Sequence, residues 1–381
     1  MTGFASLGLF TGVSQVDNFC RMAELLPSVE MVASSRPRPW PAGEQVEAPR
    51  TFGYFGYQKP FEDGFVETET SALLLLHRGQ VRYERYALTG GPDVRWISMS
   101  VAKSFVSALV GIAIAEGHIG GVDDPISDYI DVPDGSAYDG VSIRHVLQMA
   151  SGARWNEEYS DPDSDVRRVE AAMSGHGTLE EVVASMVREH APGTMCRYNS
   201  GDTQALGLLL IRATGRPLAE YMHEKLVEPL GFTSSCSWLV DGAGTEAAFA
   251  FLTATARDFA RLGELYRNGG RVGDVPVVPA AWVRDSVEDS APPFEPIPGF
   301  DGEPPIGYGY QWWIPKGDAG ETTGEFSAIG VYNQFVYVDP SREVVVVKLS
   351  ANRTYGTSPE ESDNRHAENI EMLRALARQV D

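Results

Sequence analysis

The sequence predicts an α+β fold: an antiparallel sheet built from both chain ends and flanked by helices, with an inserted all-helical domain. Three observations support this prediction. An apolar run, a short turn and an alternating run over residues 73–86 indicate a β-hairpin near the start. Three further runs typical of strands, over residues 308–314, 328–338 and 343–349, lie near the end. The stretch between them carries helix caps and stops.

The helices follow from apolar periodicity and from their caps. Residues 15–27 fit one amphipathic helix, and the apolar run Val101 to Ala115 predicts a buried one. Ser142 is expected to cap a helix over 143–150. Thr178 and Glu181 form a capping box for a helix that ends near residue 189. Further helices are predicted over residues 203–213, 217–229, 255–267 and 367–379.

This order of elements predicts two domains. Residues 1–116 and 266–381 are expected to form a discontinuous α/β domain, and residues 117–265 a helical domain. The active site is expected in the cleft between them. Residues 288–306 form a Pro- and Gly-rich loop that is long enough to be a lid or a pocket wall.

Composition narrows the classes of function. The 381 residues include 53 acidic and 31 basic side chains, giving a net charge of −22, which argues against nucleic acid or an anionic membrane as a partner. Three widely spaced cysteines indicate reduced thiols, and the amino terminus lacks the pattern of a signal peptide, so a cytoplasmic location is expected. The seven histidines lack metal-ligand spacing, and neither a metal nor another cofactor is expected.

The strongest chemical motif is Ser100-Val101-Ala102-Lys103 at the start of the long apolar helix. It is the only S-x-x-K in the chain, and Lys103 is one of only five lysines. Ser100 lies one helical turn before Lys103 on the same face. Burial lowers the pKa of a lysine and makes it a usable base, so the pair is interpreted as nucleophile and base. The rival α/β-hydrolase elbow, G-x-S-x-G, is absent from the sequence.

Such a site also needs a second proton-transfer group and an oxyanion hole. Three tyrosines are candidates for this proton-transfer group: Tyr198 before a helix, Tyr159 in an acidic loop, and Tyr332 in a predicted strand. The backbone N–H of Ser100 is one expected oxyanion donor. Gly330-Val331 is the natural source of the other, because glycine permits close approach to the backbone.

These motifs, in order, resemble those of the serine β-lactamase and penicillin-binding fold. The three motifs are Ser100 to Lys103, Tyr198-Asn199-Ser200 and Ala328 to Val331. The tyrosine at the head of the second motif favours the class C branch. The chain is more similar still to 6-aminohexanoate-dimer hydrolases and family VIII carboxylesterases, through further matches at residues 158–162, 255–258, 311–313 and 347–350.

The resemblance implies a role for each matching residue. Ser100 is the acylated nucleophile, Lys103 its base, and Tyr198 relays protons to the leaving group. The N–H groups of Ser100 and Val331 form the oxyanion hole. The implied or suspected substrate-binding residues are Tyr159, Ser200, Gly330, Tyr332, Trp312 and Glu170. Phe249 aligns with an asparagine that helps the family to recognise the nylon-type dimer, and this difference argues against activity on that dimer.

The predicted function is therefore hydrolysis of ester or linear amide bonds in small acyl substrates through an acyl-enzyme. β-Lactamase or D-amino-acid peptidase activity is the first alternative, and Ala328 argues against it because the family usually has a lysine there. A catalytically silent binding protein on the same fold is the second. The expected partner is the small ester or amide substrate, and a homodimer stays open. The aromatic residues around Trp312, Trp313 and Tyr332 suggest an apolar acyl pocket.

Overall fold

The computed structural model describes residues 4–295, 306–317, 319–358, 361 and 365–380. Its strands, in chain order, are β1 (Ser28–Met31), β2 (Thr51–Tyr54), β3 (Tyr57–Pro60), β4 (Thr70–His77), β5 (Gln80–Tyr86), β6 (Trp96–Ile97), β7 (Cys236–Leu239), β8 (Leu252–Ala254), β9 (Arg271–Val272), β10 (Val275–Pro276), β11 (Ile306–Tyr308), β12 (Trp313–Pro315), β13 (Phe326–Gly330), β14 (Gln334–Asp339) and β15 (Val344–Ser350).

The α-helices are α1 (Val16–Phe19), α2 (Met22–Leu25), α3 (Phe61–Glu67), α4 (Ala102–Ala115), α5 (Ile143–Leu147), α6 (Val166–Met173), α7 (Leu179–Ala184), α8 (Ser200–Thr214), α9 (Leu218–Met222), α10 (Glu228–Leu230), α11 (Ala256–Arg267), α12 (Ala280–Ser286) and α13 (His366–Ala377). Short 3₁₀ turns occur at Phe4–Leu7, Met99–Val101 and Ile126–Asp128, and a π-helical turn spans His223–Val227. Within the described residues, no helix is both long and apolar enough to cross a bilayer.

The main sheet joins the two ends of the chain, as the sequence predicts. It has seven strands in the order β11-β12-β13-β14-β15-β4-β5, and every neighbouring pair is antiparallel. The contribution from the start of the chain is the β4–β5 hairpin, and it pairs directly with β15 from the end. The predicted α+β class with an antiparallel sheet flanked by helices is confirmed.

Hydrophobic side chains fill both faces of this sheet. Leu74 and Leu76 of β4 belong to one core cluster, whereas Leu73 and Leu75 belong to the other. This split follows from the two-residue period of a strand, which sends neighbouring side chains to opposite faces. Helices α4, α8 and α11 contribute to the first core, and α3 and α13 to the second. Because both faces of β4 pack against a hydrophobic core, every residue of this strand is buried.

Helix α4 lies in the first core and carries the S-x-x-K motif into it. Its residues Ala102 to Ala113 are buried, in agreement with the predicted buried helix. At Gly111 a Cβ atom would lie 2.4 Å from Cγ of Trp282, so the absence of a side chain lets the indole of α12 pack directly on the helix. At its other end, the 3₁₀ turn Met99–Val101 that leads into α4 packs against β13 and β14 of the main sheet.

Several caps are confirmed. The hydroxyl of Ser142 accepts a hydrogen bond from the His145 N–H, and Thr178 and Glu181 form the predicted capping box. The helices they begin are shorter than predicted, ending at Leu147 and Ala184. The β4–β5 hairpin and helix α11, which ends at Arg267, lie where the sequence predicts them.

Three predicted elements are wrong in detail. Residues 15–27 form two one-turn helices, because Arg21 leaves the helical region (φ −140°, ψ 27°). The predicted strand 308–314 is interrupted: residue 308 ends β11, residues 309–312 form a turn, and residues 313–314 begin β12. The predicted strand 328–338 is the β13–β14 hairpin, which reverses at Tyr332 and Asn333 with φ of 63° and 66°. Such left-handed backbone in non-glycine residues has no clear sequence signal.

The middle of the chain also differs from an all-helical segment. Strands β7 and β8 lie within it and join β1 and β6 in a second, four-stranded antiparallel sheet of order β1-β7-β8-β6. The expectation of a wholly helical insert is wrong for these strands, whereas the division into domains stays a prediction. Residues 296–305 of the predicted lid loop lie outside the described residues.

Candidate active site

Ser100 lies in the 3₁₀ turn that leads into α4, where it is 6% exposed. The preceding residue, Met99, has a φ of 44°, a strained backbone for a residue with a side chain and one that recurs at functional sites. The end of β13 packs tightly against this turn. A Cβ on Gly330 would lie 2.7 Å from the Ser98 carbonyl oxygen and 2.9 Å from the Ser100 nitrogen. Gly330 therefore allows the strand to approach the turn that carries Ser100.

Lys103 lies beside Ser100 and is almost completely buried. Its Nζ is 3.2 Å from the Ser100 Oγ, 3.0 Å from the Ser200 Oγ and 2.8 Å from the Phe249 carbonyl oxygen. Burial lowers the pKa of Lys103 from 10.5 to about 8, while the negative charge of Glu157 raises it and offsets part of that effect. A substantial neutral fraction is thus available near neutral pH.

The three partners of Lys103 suit a neutral amine. A neutral amine has two N–H bonds and one lone pair. The Phe249 carbonyl can only accept, and the Ser200 Oγ accepts because its own hydrogen is donated to Glu157 at 2.6 Å. These two partners use both N–H bonds of the amine. The lone pair is then left for the Ser100 hydroxyl, which is the orientation that a general base requires.

Glu157 is a central residue that the sequence interpretation overlooked. Its carboxylate accepts hydrogen bonds from the Ser200 Oγ and N–H, from the Tyr159 hydroxyl at 2.8 Å, and from the Trp155 indole N–H. It therefore connects the loop after α5 to the start of α8. The loop's acidic character is visible in the sequence, but no spacing distinguishes Glu157 from the adjacent Glu158.

We expect Glu157→Gln to shift the acidic limb of the pH–rate profile. The substitution removes the negative charge that raises the pKa of Lys103, so this pKa falls further below its usual value. The neutral base then persists to lower pH, and kcat/KM, measured from pH 5 to 10, should reach half its plateau at a lower pH than in the wild type. Glu158→Gln is the matched control, because Glu158 accepts hydrogen bonds from Ser160 instead. A limb that stays in place in both variants would contradict this coupling.

Tyr198 directly precedes Asn199, the N-cap of α8, and the Ser100 side chain offsets part of the rise that burial gives the pKa of its phenol. Its ring stacks on Trp313, with centroids 5.3 Å apart, and meets the edge of Tyr308. The Lys103 Nζ lies 5.2 Å from the ring centroid. Burial raises the pKa of Tyr198 well above its usual value, so the phenol keeps its proton at neutral pH and can supply it to a leaving group.

The predicted second oxyanion donor, Val331, follows the glycine that contacts the Ser100 turn, and it lines the same cavity as Ser100. Gln334 holds the turn that contains Val331. Its Nε2 donates to the carbonyl oxygens of Val331 (3.2 Å), Tyr332 (3.1 Å) and Ser350 (2.6 Å), and its Oε1 accepts from the Ser350 N–H at 3.0 Å. The position of this turn is thus set by one buried amide.

We expect Gln334→Leu to lower kcat by about ten- to a hundredfold with little change in KM. A displaced oxyanion donor weakens binding of the transition state more than that of the ground state. Steady-state kinetics on a p-nitrophenyl ester give both constants. Gln148→Leu is the control, since Gln148 is also buried but bonds to Ser290. Equal changes of kcat in both variants, or a change confined to KM, would argue against a positioning role.

The other predicted site residues fall into two groups. Tyr159, Ser200 and Glu170 line the cavity in front of Ser100. The prediction of direct substrate contact needs correction for Trp312 and Tyr332. Trp312 directly precedes β12, has no exposed surface and packs on Tyr266 and Phe326 in the first core, whereas Trp313 belongs to the second.

Trp313, the neighbour of Trp312, is the residue that supports Tyr198. Tyr332 is 1% exposed, and its hydroxyl accepts the Phe10 N–H at 2.7 Å. It therefore supports the amino-terminal segment. Within the described ranges, no group of three or more His, Cys, Asp or Glu side chains is arranged to hold a metal ion.

The antiparallel sheet, the helices on its faces and the buried Ser100–Lys103 pair define a fold of the β-lactamase and transpeptidase type. A family model described as Beta-lactamase matches residues 60–371. A 6-aminohexanoate-dimer hydrolase from Paenarthrobacter ureafaciens is 31% identical over 341 residues, which cover 87% of this chain and 84% of that protein. The chain belongs to the Beta-lactamase family and is a hydrolase related to 6-aminohexanoate-dimer hydrolase.

Solved structures agree on the fold. A Bacillus anthracis protein provisionally assigned as a 6-aminohexanoate-dimer hydrolase aligns with a TM-score of 0.82 and 22% identity, over 97% of both chains. EstCE1, a hydrolase with promiscuous acyltransferase activity, aligns with a TM-score of 0.65 and 17% identity, over 83% of this chain and 96% of its own. The resemblance stated from the motifs is confirmed at the level of family and fold.

Proposed function

We propose that this protein is a serine hydrolase that cleaves ester or linear amide bonds of small acyl substrates through an acyl-enzyme on Ser100. The observation that carries the proposal is the buried Ser100–Lys103 contact of 3.2 Å, with a lysine whose pKa is lowered to about 8. A serine beside a neutral amine is an activated nucleophile. The relative named as a 6-aminohexanoate-dimer hydrolase supports cleavage of a linear amide, and EstCE1, named as a hydrolase with promiscuous acyltransferase activity, shares the fold.

In this mechanism Lys103 removes the proton from the Ser100 hydroxyl as the Oγ attacks the substrate carbonyl. The N–H groups of Ser100 and Val331 stabilise the oxyanion that forms. The carbon–leaving-group bond breaks as Tyr198 donates its proton, which the protonated Lys103 replaces. Water then attacks the acyl ester, giving up a proton by the same route, and the free acid and the Ser100 hydroxyl are regenerated.

Amide bonds depend more on leaving-group protonation than ester bonds do, because an amine leaves poorly unless it is protonated. The resemblance implies that Tyr159 contacts the amide being cut. In this structure its hydroxyl donates to Glu157, and its oxygen can still accept a hydrogen bond from a substrate N–H. Because esters depend less on leaving-group protonation, we propose esters as the better substrates.

The test is turnover of p-nitrophenyl butyrate and of a linear aliphatic amide by the purified full chain. Wild type should hydrolyse the ester, and Ser100→Ala should lose more than about 10⁴-fold in rate. Ser104→Ala is the matched control, since Ser104 lies on the same helix but donates to the Gln311 carbonyl. Undiminished turnover in Ser100→Ala would contradict the proposal.

A further inference from the structure

The cavity in front of Ser100 has a mostly apolar lining. Its empty space is about 430 Å³ when the open mouth toward solvent is included. Its apolar lining includes side chains from both halves of the chain: Phe4, Leu9, Phe10, Phe249, Phe251 and Val331. Ser100 and Glu170 are both among the residues that line it.

The amino-terminal segment, residues 4–12, forms one wall of this cavity. Phe4 meets the ring of Phe251 edge-on, with centroids 5.2 Å apart, and Phe10 stacks on Tyr159 at 4.2 Å. The backbone N–H of Phe10 donates to the Tyr332 hydroxyl, 322 residues away in sequence. The wall is therefore attached to the loop that carries Tyr159 and to the turn that carries Val331.

The conformation of the segment is specified locally as well. Gly8, Phe10 and Gly12 all have left-handed backbones, with φ of 63°, 62° and 82°. The buried side chain of Gln15 donates to the carbonyl oxygen of Leu7 at 2.9 Å. Phe10 thereby lines the cavity while its ring stacks on Tyr159 and Tyr332.

The one carboxylate on the cavity wall is already paired. Both Glu170 oxygens accept from Arg167 at 2.8 Å, and the same guanidinium donates to the Tyr159 carbonyl oxygen at 2.6 Å. A cationic substrate group would have to share Glu170 with the like-charged Arg167 guanidinium and would leave water for an apolar surround, both of which are costly. The lining thus favours an uncharged group.

The acyl side of the substrate fits this cavity better than the leaving group. The leaving group must face Tyr198, the proton donor, whereas the acyl carbonyl must face the two oxyanion donors. Among the described residues, the cavity lining includes Ser100 and Val331 but not Tyr198. The group that enters the cavity is therefore on the acyl side of the bond that breaks.

We infer that residues 4–10 set the length of the acyl group, and that the substrates carry an uncharged aliphatic acyl chain. This inference rests on the proposed acyl-enzyme function. Phe10 and Leu9 are specificity-determining residues that limit how far a chain extends from Ser100. The amino-terminal segment, remote from the motifs in sequence, is part of the substrate site.

The test compares p-nitrophenyl acetate, butyrate, hexanoate and octanoate on the full-length wild type, Phe10→Ala and Leu9→Trp. Phe10→Ala should raise the octanoate-to-butyrate ratio of kcat/KM by about tenfold, and Leu9→Trp should lower it by a similar factor. Val13→Ala is the control, since Val13 lies beside the segment with its side chain 54% exposed. Wild type should also prefer the hexanoyl over the 6-aminohexanoyl ester by at least about tenfold.

The outcomes separate this inference from the proposed function. If wild type turns over none of the esters and Ser100 takes no label from a fluorophosphonate, the proposed function fails. If Ser100 is labelled but the chain-length ratios are the same in all four proteins, only the role of the amino-terminal segment is overturned. A preference for the 6-aminohexanoyl ester would overturn the uncharged acyl class. Because the two variants shift the ratio in opposite directions, a folding defect in one leaves the other decisive.

Discussion

Replacement of Lys103 by methionine should lower kcat/KM for p-nitrophenyl butyrate by between about 10² and 10⁴-fold, the range that general base catalysis contributes. Methionine approximates the volume of the lysine stem and tolerates the apolar surroundings of α4, so the fold should persist. What is lost is the lone pair that receives the Ser100 proton. Single-turnover acylation, followed by release of p-nitrophenol, measures this step directly.

The pH dependence gives the same prediction a second signature. With the pKa of Lys103 lowered to about 8, kcat/KM of the wild type should rise about tenfold per pH unit below pH 8 and level off above it. The rise reflects loss of a proton from the lysine, so the active form is the basic one. In Lys103→Met, the remaining kcat/KM should no longer show this rise with pH.

Lys348→Met is the matched control for Lys103. Lys348, which has no exposed surface, is the other buried lysine whose pKa burial lowers, in this case to about 7, and it donates to Thr68 and Ser350. Its replacement should leave kcat/KM per folded molecule within a few fold of wild type. An equal loss of activity in both variants would mean that removing any buried lysine disables the protein, which would contradict the assignment of Lys103 as the base.

Tyr198→Phe should separate amide from ester substrates. Loss of the hydroxyl removes the acid that protonates the leaving group, and we expect amide turnover to fall by about 10³-fold but p-nitrophenyl ester turnover by only about tenfold. The difference arises because p-nitrophenolate leaves without a proton. The ratio of kcat/KM for the two substrates, measured on the same preparation, is the readout.

Tyr308→Phe provides the comparison for Tyr198→Phe. Tyr308 is a fully buried member of the same aromatic cluster and contacts the edges of Tyr198 and Trp313. Its substitution also removes one buried phenolic hydroxyl, from a tyrosine that has no assigned role in proton transfer. A similar fall of amide and ester turnover in Tyr198→Phe would show that Tyr198 supports the packing of the site without donating a proton.

The sequence was most informative where chemistry depends on local spacing. Ser100 and Lys103 are one helical turn apart, so their proximity follows from the helix alone. The antiparallel sheet and most helices follow from apolar periodicity and caps. Tyr198 could be named from its motif, but its contact with Trp313 could not, because it depends on how β12 packs against the start of α8.

The parts of the site that the sequence did not predict depend on long-range contacts. Glu157 reaches Ser200 across 43 residues, and Phe10 reaches Tyr332 across 322. The turn at Tyr332 and Asn333 reverses a strand without glycine or proline at either position. Sequence patterns report the periodicity of single elements and the chemistry of short motifs. They carry no information on which distant loop closes over a cavity.

Intact-mass spectrometry after brief exposure to a fluorophosphonate tests the central claim most directly. Wild type and the Ser104→Ala control should each gain one adduct, mapped to Ser100 by peptide analysis, and Ser100→Ala should gain none. Lys103→Met should react at least about a hundredfold more slowly, because its serine is no longer activated. An unlabelled wild type, or an adduct that persists in Ser100→Ala, would contradict a nucleophilic Ser100 and favour a binding protein on this fold.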